Sequence, residues 1–342
     1  MSVPQRATAA QVAERAGVSV ASVSRVLNGL ASSLRMAERV QAAAAELGYV
    51  PDATARSLKV GRTEQLAVAV ADVGNPAYVA MMRAVEDVVR AAGYRTVLSA
   101  MGADPDDEID VVRSLARGYA DGLILSPLRV TPELVRELEQ ARRPVVVVGT
   151  LPAGTAIDNV RADSPGGVRL ALTHLRDGGR RRIGFVNGPA DTVPGSARAR
   201  GYVRTVKRLG LPQSATLSVT AADFTYDAGR AVADQLLDQD DPPDAVLGAN
   251  DLLAVAVINA ITERGGRVPE DIAVVGMDDT ELASYIRPSL TSVSLGSVER
   301  GTIAAELLLA RIADPGREVQ RVTVTPRLTV RSSSAPAGGG HP

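Results

Sequence analysis

The sequence lacks cysteine altogether and contains only two histidines, His174 and His341. Without cysteine there is no disulfide framework, no cysteine-ligated zinc and no thiol nucleophile. His341 lies in a Gly/Pro-rich tail, so histidine-dependent catalysis would rest on His174 alone. We expect His174 to be a packed or solvated residue of a helix over 164–175.

Long apolar runs are also missing, and none approaches the ~20 residues that a membrane-spanning helix needs. The N-terminal segment has no basic stretch followed by an apolar core, as a secretory signal would. We therefore expect a cytoplasmic protein with no membrane partner. The chain also lacks the phosphate-binding pattern GxxxxGK[ST] and a GxGxxG after a strand, so we expect neither a cofactor nor enzymatic activity.

The charge of the chain is unevenly distributed, although its net charge is only −1. Residues 1–62 contain eight Lys and Arg and four Asp and Glu. The remainder of the chain therefore contains 30 basic and 35 acidic residues. A basic head on an acidic body is typical of a phosphate-binding module joined to a sensor. Chance clustering of charge is the alternative. The length of 342 residues predicts at least two domains.

The first 50 residues predict a helix-turn-helix. Thr8 and Gln11 fit a capping box at the start of a first helix, which ends at Gly17. Ser19 is suited to cap a second helix with an inward stripe of Val23, Val26 and Leu27. A third helix has its apolar residues at Val40, Ala44 and Leu47 and ends at Gly48.

The outward face of the second helix is polar and consists of Ala21, Ser24, Arg25 and Asn28. In a major groove, Arg25 would offer two donors to a guanine, while Ser19, Ser22 and Asn28 would contact phosphates. A helical hairpin without a DNA role explains the apolar spacing equally well, but it does not explain this polar face.

Residues 51–62 predict a hinge. Pro51 interrupts the chain, and the following segment is too short to form a stable helix alone. Leu58 is suited to insert between base steps of a minor groove, with Arg56 and Lys59 beside it for phosphates. A plain linker with one stray leucine is the alternative.

The runs QVAERAGVSVASVSRVLNG and RVQAAAAELGYVPDATARSLKVGRT resemble the DNA-binding head and hinge of the LacI/GalR (lactose-repressor) family, and the likeness continues to about residue 331. The resemblance implies that Val20 and Ala21 select the operator, that Arg25 contacts a base and that Leu58 enters the central minor groove at a C-G step. The stretch between Asn28 and Val40 is one residue shorter than usual and lacks a basic, Thr-rich helix start. The expected DNA-binding residues are Thr8, Ser19, Val20, Ala21, Ser22, Ser24, Arg25, Asn28, Tyr49, Ala55 and Leu58.

From residue 63 onward, short apolar strands alternate with helices in two successive sets, which predicts two lobes of doubly wound parallel sheet. The expected fold is therefore α/β: a three-helix helix-turn-helix head, a hinge and a two-lobed body like the periplasmic binding proteins. We expect domains at 1–50, 51–62 and 63–331. The first lobe would comprise 63–160 and 291–320, the second 161–290 and 321–331, and 332–342 would form a flexible tail.

Ligands of open α/β sheets bind beyond the carboxyl ends of the strands, where this chain has polar residues. The motifs ARxxGY, AND and GxDDT resemble those of the family's ligand contacts and imply this role for Arg198, Asn250 and Asp278. For Asn250 and Asp278 a helix cap is the alternative, and for Arg198 a surface ion pair. The remaining expected ligand residues are Asp72, Tyr78, Ser126 and Phe224.

Two positions depart from the family's sugar-binding members, because Gly149 replaces a frequent Asp and Leu295 replaces a polar residue. The resemblance nevertheless implies a homodimeric regulator of a pseudo-palindromic operator, with a sugar or sugar derivative as effector that closes the lobes and shifts the hinges. The tail lacks heptads, so we expect no coiled-coil tetramer. An α/β enzyme and a secreted sugar-binding protein are the competing interpretations.

Overall fold

The computed structural model describes residues 7–27, 29, 32–50, 61–102, 104–212 and 217–335. The chain divides into two units, 1–63 and 64–342, called here the head and the body. Asn28, Ala55 and Leu58 lie outside the described residues, together with most of the expected hinge. The DNA-binding roles expected of these three residues therefore stay predictions.

The described part of the head contains three helices: α1 (Ala9–Ala16), α2 (Val20–Leu27) and α3 (Leu34–Glu46). The expected capping box is present, since the Gln11 amide donates to Thr8 Oγ1 at 3.3 Å and the Thr8 amide donates to Gln11 Oε1 at 2.8 Å. Gly17 ends α1 in the left-handed region, where glycine is favoured. Ser19 caps α2 by accepting from the Ser22 amide at 3.1 Å.

The core of the head is built from the predicted apolar stripes, and Val12, Val23 and Val40 are completely buried. Leu47 is an exception, because it follows the last turn of α3 and is exposed, while Tyr49 packs against the core. Leu47 therefore does not continue the buried stripe of Val40 and Ala44, because α3 ends at Glu46.

The described residues of the body form two mainly parallel β-sheets, one in each lobe. The sheet of the first lobe has the order β11 (Arg321–Val324), β5 (Asp158–Ala162), β4 (Val145–Val148), β3 (Gly122–Ser126), β1 (Gln65–Val70) and β2 (Arg95–Ala100). The sheet of the second lobe has the order β12 (Arg327–Thr329), β10 (Thr291–Ser294), β9 (Ala273–Met277), β8 (Ala245–Gly248), β6 (Ile183–Asn187) and β7 (Ser218–Thr220).

Helices cover these sheets because central strands such as β3 and β4 are largely apolar and are buried along their whole length. In the first lobe, Ile124 packs into one apolar cluster and its neighbour Leu125 into another, as expected for a sheet buried on both faces. The helices of the body are α4 (Pro76–Ala91), α5 (Pro105–Ser114), α6 (Pro132–Glu139), α7 (Ser164–Asp177), α8 (Val193–Arg208), α9 (Tyr226–Leu237), α10 (Asp251–Glu263), α11 (Leu282–Tyr285) and α12 (Ser297–Ala313).

The lobe boundaries differ from the predicted ones. Strand β10 pairs with β9 and β12, so Thr291–Ser294 belongs to the second lobe. Strand β11 pairs with β5, so Arg321–Val324 belongs to the first lobe, as does all of β5. The predicted limits at residues 160, 290 and 320 are therefore wrong. A short strand joins the sheet that contains its hydrogen-bonding neighbours. The residues of the strand alone do not specify which neighbours these are.

The predicted flexible tail is also wrong where the structure describes it. Ser333 is completely buried, donates to the carbonyl of Val274 at 2.6 Å and accepts from the amide of Thr291 at 2.9 Å. The next residue, Ser334, hydrogen-bonds His174 Nε2 at 2.8 Å. Residues 332–335 are thus part of the second lobe, and His174 is a packed helix residue as predicted. Residues 336–342 lie outside the described residues.

Candidate functional site

A cavity of about 510 Å³ lies at the carboxyl ends of the strands, and residues of both lobes line it. Its walls include Asp163, Leu295 and Thr323, which stand at or beside the points where the chain passes from one lobe to the other. All seven predicted ligand residues line this cavity: Asp72, Tyr78, Ser126, Arg198, Phe224, Asn250 and Asp278. The tertiary structure therefore brings together residues that are up to 206 positions apart in the printed sequence.

Arg198 and Asp278 form the charged centre of the cavity. Arg198 Nη2 lies 3.8 Å from Asp278 Oδ1, and the two side chains are only 8% and 9% exposed. The Arg198 guanidinium also stands 5.7 Å from the centre of the Phe224 ring, within the range of a cation–π contact. The alternative of a surface ion pair is therefore wrong for Arg198, because a buried guanidinium faces the cavity.

For Asn250 the structure shows the helix cap, and its role as a ligand contact stays a prediction. Its Oδ1 accepts from the Leu253 amide at 2.9 Å and thereby caps α10. Its Nδ2 donates to the carbonyl of Phe224 at 2.7 Å. Because an amide has two N–H donors, one remains for a ligand in the cavity. These two bonds hold the side chain in one orientation.

Tyr78 and Ser126 provide neutral polar groups on the wall from the first lobe. Burial raises the pKa of Tyr78, although the Ser126 hydroxyl opposes this shift as a hydrogen-bond partner. The phenol therefore stays protonated at neutral pH and can donate to a ligand. Ser126 Oγ also donates to the carbonyl of Val148 at 3.2 Å.

Three other polar residues at strand ends support the site from outside it. Asn187 donates to the carbonyl of Gly195 at 3.1 Å, and Asp279 forms an ion pair with Arg331 at 2.8 Å. Asp251 accepts from the amide of Thr280 at 2.7 Å and from its hydroxyl at 2.8 Å. These side chains fix the loops after the strands and do not line the cavity.

Asp251 is expected to make the protein less stable as the pH rises from 5 to 6. Burial, followed by the nearby charge of Asp278, raises the pKa of Asp251 to about 7. Since this folded pKa exceeds the ordinary value of 3.8, the native state retains a proton that the unfolded chain has lost. The free energy of unfolding then falls by roughly 1 kcal/mol over that pH unit.

Urea unfolding of the full chain at pH 5 and pH 6 measures this difference, and Asp251→Asn is expected to reduce it. Asp271 is the control, because its exposed carboxyl has a pKa of about 2 and does not titrate in this range. Asp271→Asn should therefore keep the pH dependence of the wild type. An equal dependence in Asp251→Asn would show that Asp251 is ionised throughout.

Arg300 is a cavity residue that the sequence analysis missed. It lies in the first turns of α12, and its Nη2 donates to Ser297 Oγ at 3.2 Å. Burial lowers the pKa of this guanidinium, while the charge of Asp278 opposes the shift. No local pattern distinguishes Arg300 from a surface arginine, because its burial depends on where the helix packs.

The two departures noted in the sequence both lie on the cavity wall. Leu295 is 2% exposed and contributes apolar surface, while Gly149 contributes only main chain. The carbonyl of Gly149 accepts from Asn159 Nδ2 at 3.1 Å. The cavity thus combines buried charges with apolar surface from Leu128, Val148, Val193, Phe224 and Leu295.

The lobes contact each other directly beside the cavity. The amide of Val193 donates to the carbonyl of Leu128 at 2.7 Å, and Arg129 Nε donates to Asp191 Oδ2 at 2.7 Å. Glu108 supports this contact because its Oε1 accepts from the Leu128 amide at 2.7 Å. These bonds join the loop after β3 to the start of α8, and they close one side of the cavity.

The predicted DNA-binding face of α2 is available on the surface of the head. Val20 is 49% exposed, and Ala21 and Arg25 are exposed as well. Arg15 is held by Glu46 at 2.6 Å, and Arg39 donates to the carbonyl of Ala16, so both of these arginines stabilise the head. Ser19 is exposed, Ser22 and Ser24 are partly exposed, Thr8 caps α1, and Tyr49 packs against the core.

Comparison with known proteins identifies the family. Residues 8–52 match the profile described as bacterial regulatory proteins, lacI family, and residues 172–334 match that of a periplasmic binding protein-like domain. The HTH-type transcriptional regulator CelR of Thermobifida fusca is 36% identical over 338 residues, covering 96% of this chain and 98% of CelR. The chain belongs to the lacI family.

Other relatives give the same result. The ribose operon repressor of Escherichia coli (strain K12) is 36% identical over 331 residues, covering 96% of this chain and all of the repressor. The structure of the Lac repressor dimer bound to operator and the anti-inducer ONPF has a TM-score of 0.86, with 27% identity and coverage of 96% and 99%. That of the CelR–cellobiose complex has a TM-score of 0.72 with 34% identity, covering 96% of this chain and 100% of CelR.

Membership confirms the predicted fold class and shows that this lacI-family chain is a DNA-binding transcriptional regulator and not an enzyme. Within the described ranges, no helix is both long enough and apolar enough to span a membrane.

Proposed function

We propose that this protein is a cytoplasmic, homodimeric repressor that binds a pseudo-palindromic operator and changes its affinity for it when a carbohydrate occupies the cavity. The observation that carries the proposal is the cavity between the lobes, which has the Arg198–Asp278 ion pair at its centre, in a chain that also has an exposed recognition face. The relatives named for ribose and solved with cellobiose support a carbohydrate effector.

On the DNA side, the helix α2 would lie in the major groove with Arg25 toward the bases. A two-fold dimer presents two heads, so the two half-sites should be related by a dyad and separated by one or more helical turns. The Lac repressor, whose structure is that of a dimer on operator, supports this arrangement. The expected central C-G step depends on Leu58, which lies outside the described residues.

On the ligand side, an effector that contacts both walls of the cavity stabilises one arrangement of the lobes relative to another. The contacts of Leu128 with Val193 and of Arg129 with Asp191 belong to the arrangement seen here. A tenfold change in operator affinity requires only about 1.4 kcal/mol of coupling between effector and operator. Either sign of this coupling is compatible with the geometry.

The proposal is tested by selecting bound sequences from a pool of random DNA duplexes with the full-length protein, in the absence of added sugar. We expect recovery of a pseudo-palindrome, and an affinity for it that falls steeply with salt because phosphate contacts release counterions. If no motif is recovered either without sugar or with a mixture of sugars added, the head does not read DNA sequence.

A further inference from the structure

The buried part of the cavity contains more positive than negative charge. Arg198 and Arg300 contribute two guanidinium groups, and Asp278 contributes one carboxylate. The fourth ionisable group near them is the phenol of Tyr78, which is neutral at physiological pH because burial raises its pKa. Two cations around one anion leave a positive charge that the protein does not neutralise there. A buried, uncompensated charge is unfavourable unless a ligand or water balances it.

The two guanidinium groups also have unused donors. Nε of Arg198 and Nε of Arg300 are both buried, and neither has a hydrogen-bond partner in the described part of the chain. Arg198 is 7% exposed and reaches Asp278 only at 3.8 Å, which is longer than a hydrogen bond. Buried donors of this kind are normally satisfied, so a group outside the protein chain is expected to accept from them.

The charges at the edge of the cavity do not change this balance. Asp72, Asp163 and Asp223 each accept a hydrogen bond from a main-chain amide one to three residues farther along the chain. Asp72 and Asp223 are exposed, as are Arg161 and Arg200 on the same edge. Water and salt screen the exposed charges strongly, and the half-buried carboxylate of Asp163 caps the start of α7. These side chains therefore do not neutralise the buried guanidinium groups.

We infer that the effector is an anionic carbohydrate whose carboxylate or phosphate group binds to the guanidinium groups of Arg198 and Arg300. A guanidinium matches either group because it donates two parallel hydrogen bonds to a pair of oxygens. The apolar wall of Leu295 and Phe224 faces the carbon skeleton of the sugar. This inference rests on the proposed function, because it names the class of effector for the same cavity.

Isothermal titration calorimetry of the full-length protein at constant ionic strength measures its affinity for two sets of sugars. The neutral set is D-glucose, D-ribose and cellobiose, and the anionic set is D-gluconate, D-glucuronate and D-glucose 6-phosphate. We expect at least one anionic sugar to bind about tenfold or more tightly than every neutral one, as charged hydrogen bonds allow. The gluconate and phosphate arms distinguish a carboxylate from a phosphate. Inorganic phosphate alone tests whether a bare anion suffices.

Arg300→Leu is expected to weaken binding of the anionic sugar at least tenfold, and Arg300→Lys to preserve the preference for the anion. The matched control is Arg169→Leu, at an exposed position of α7 that does not line the cavity, and it should bind like the wild type. Thermal unfolding of each variant shows whether it is folded.

Tighter binding of a neutral sugar, retention of the anion preference by Arg300→Leu, or binding of none of the anionic sugars would overturn the inference. The same preparations are assayed for operator binding. Operator recognition together with a neutral effector would leave the proposed function standing and refute only the anionic class, whereas absence of any operator would refute the proposed function itself.

Discussion

Arg25→Ala weakens binding of the protein to the selected operator by about 5- to 150-fold, whereas the affinity of the same variant for random duplex DNA changes far less. The expected loss corresponds to the ~1–3 kcal/mol that one bidentate contact with a base contributes to discrimination. Arg25 is exposed on α2, opposite the buried Val23 and Val26, and it forms no ion pair within the described residues. Its removal should therefore leave the stability of the head unchanged.

Fluorescence anisotropy with operator and random duplexes at two salt concentrations measures this effect. Arg35→Ala is the control, because Arg35 is also exposed but lies in the first turn of α3, where the sequence departs from the family. It should lower binding to both duplexes by similar factors and only slightly. If Arg25→Ala likewise lowers both affinities equally and reduces the salt slope, Arg25 contacts a phosphate and not a base.

Gly301→Val lowers the free energy of unfolding by about 3 kcal/mol, at the upper end of the effects of overpacking. A Cβ atom at position 301 would stand 2.4 Å from the main-chain carbonyl oxygen of Met81 on α4. That oxygen belongs to a helix and cannot rotate away, so α12 would have to separate from α4. Valine is a slightly better helix former than glycine, but the gain of a few tenths of a kcal/mol is much smaller than the clash.

Urea unfolding of the full chain, followed by circular dichroism, measures this loss. Glu306→Val introduces the same side chain on the exposed face of the same helix, and it should change the stability by less than about 1 kcal/mol. Similar losses in both variants would mean that helix propensity, and not the contact with Met81, decides the effect. Operator binding of Gly301→Val at low temperature would show that its head remains folded.

The local elements were largely predictable from the sequence. The capping box of Thr8 and Gln11, the turn at Gly17 and the buried stripe of Val23 and Val26 depend on residues within one or two helical turns of each other. The position of ligand residues such as Arg198 beside one cavity was also predictable, because strand ends of a parallel sheet lie on one edge and the motifs resembled a known family.

The sequence by itself thus determined the element types, the family and seven residues of the cavity. Only the tertiary structure decided that β10 lies in the second lobe and β11 in the first, the reverse of the prediction. It also decided that Ser333 is buried and that Arg300 lines the cavity. These features depend on hydrogen bonds and packing between segments distant along the chain. A short strand or an amphipathic helix has the same residue pattern whichever partner it meets, and its place is therefore set by the partner.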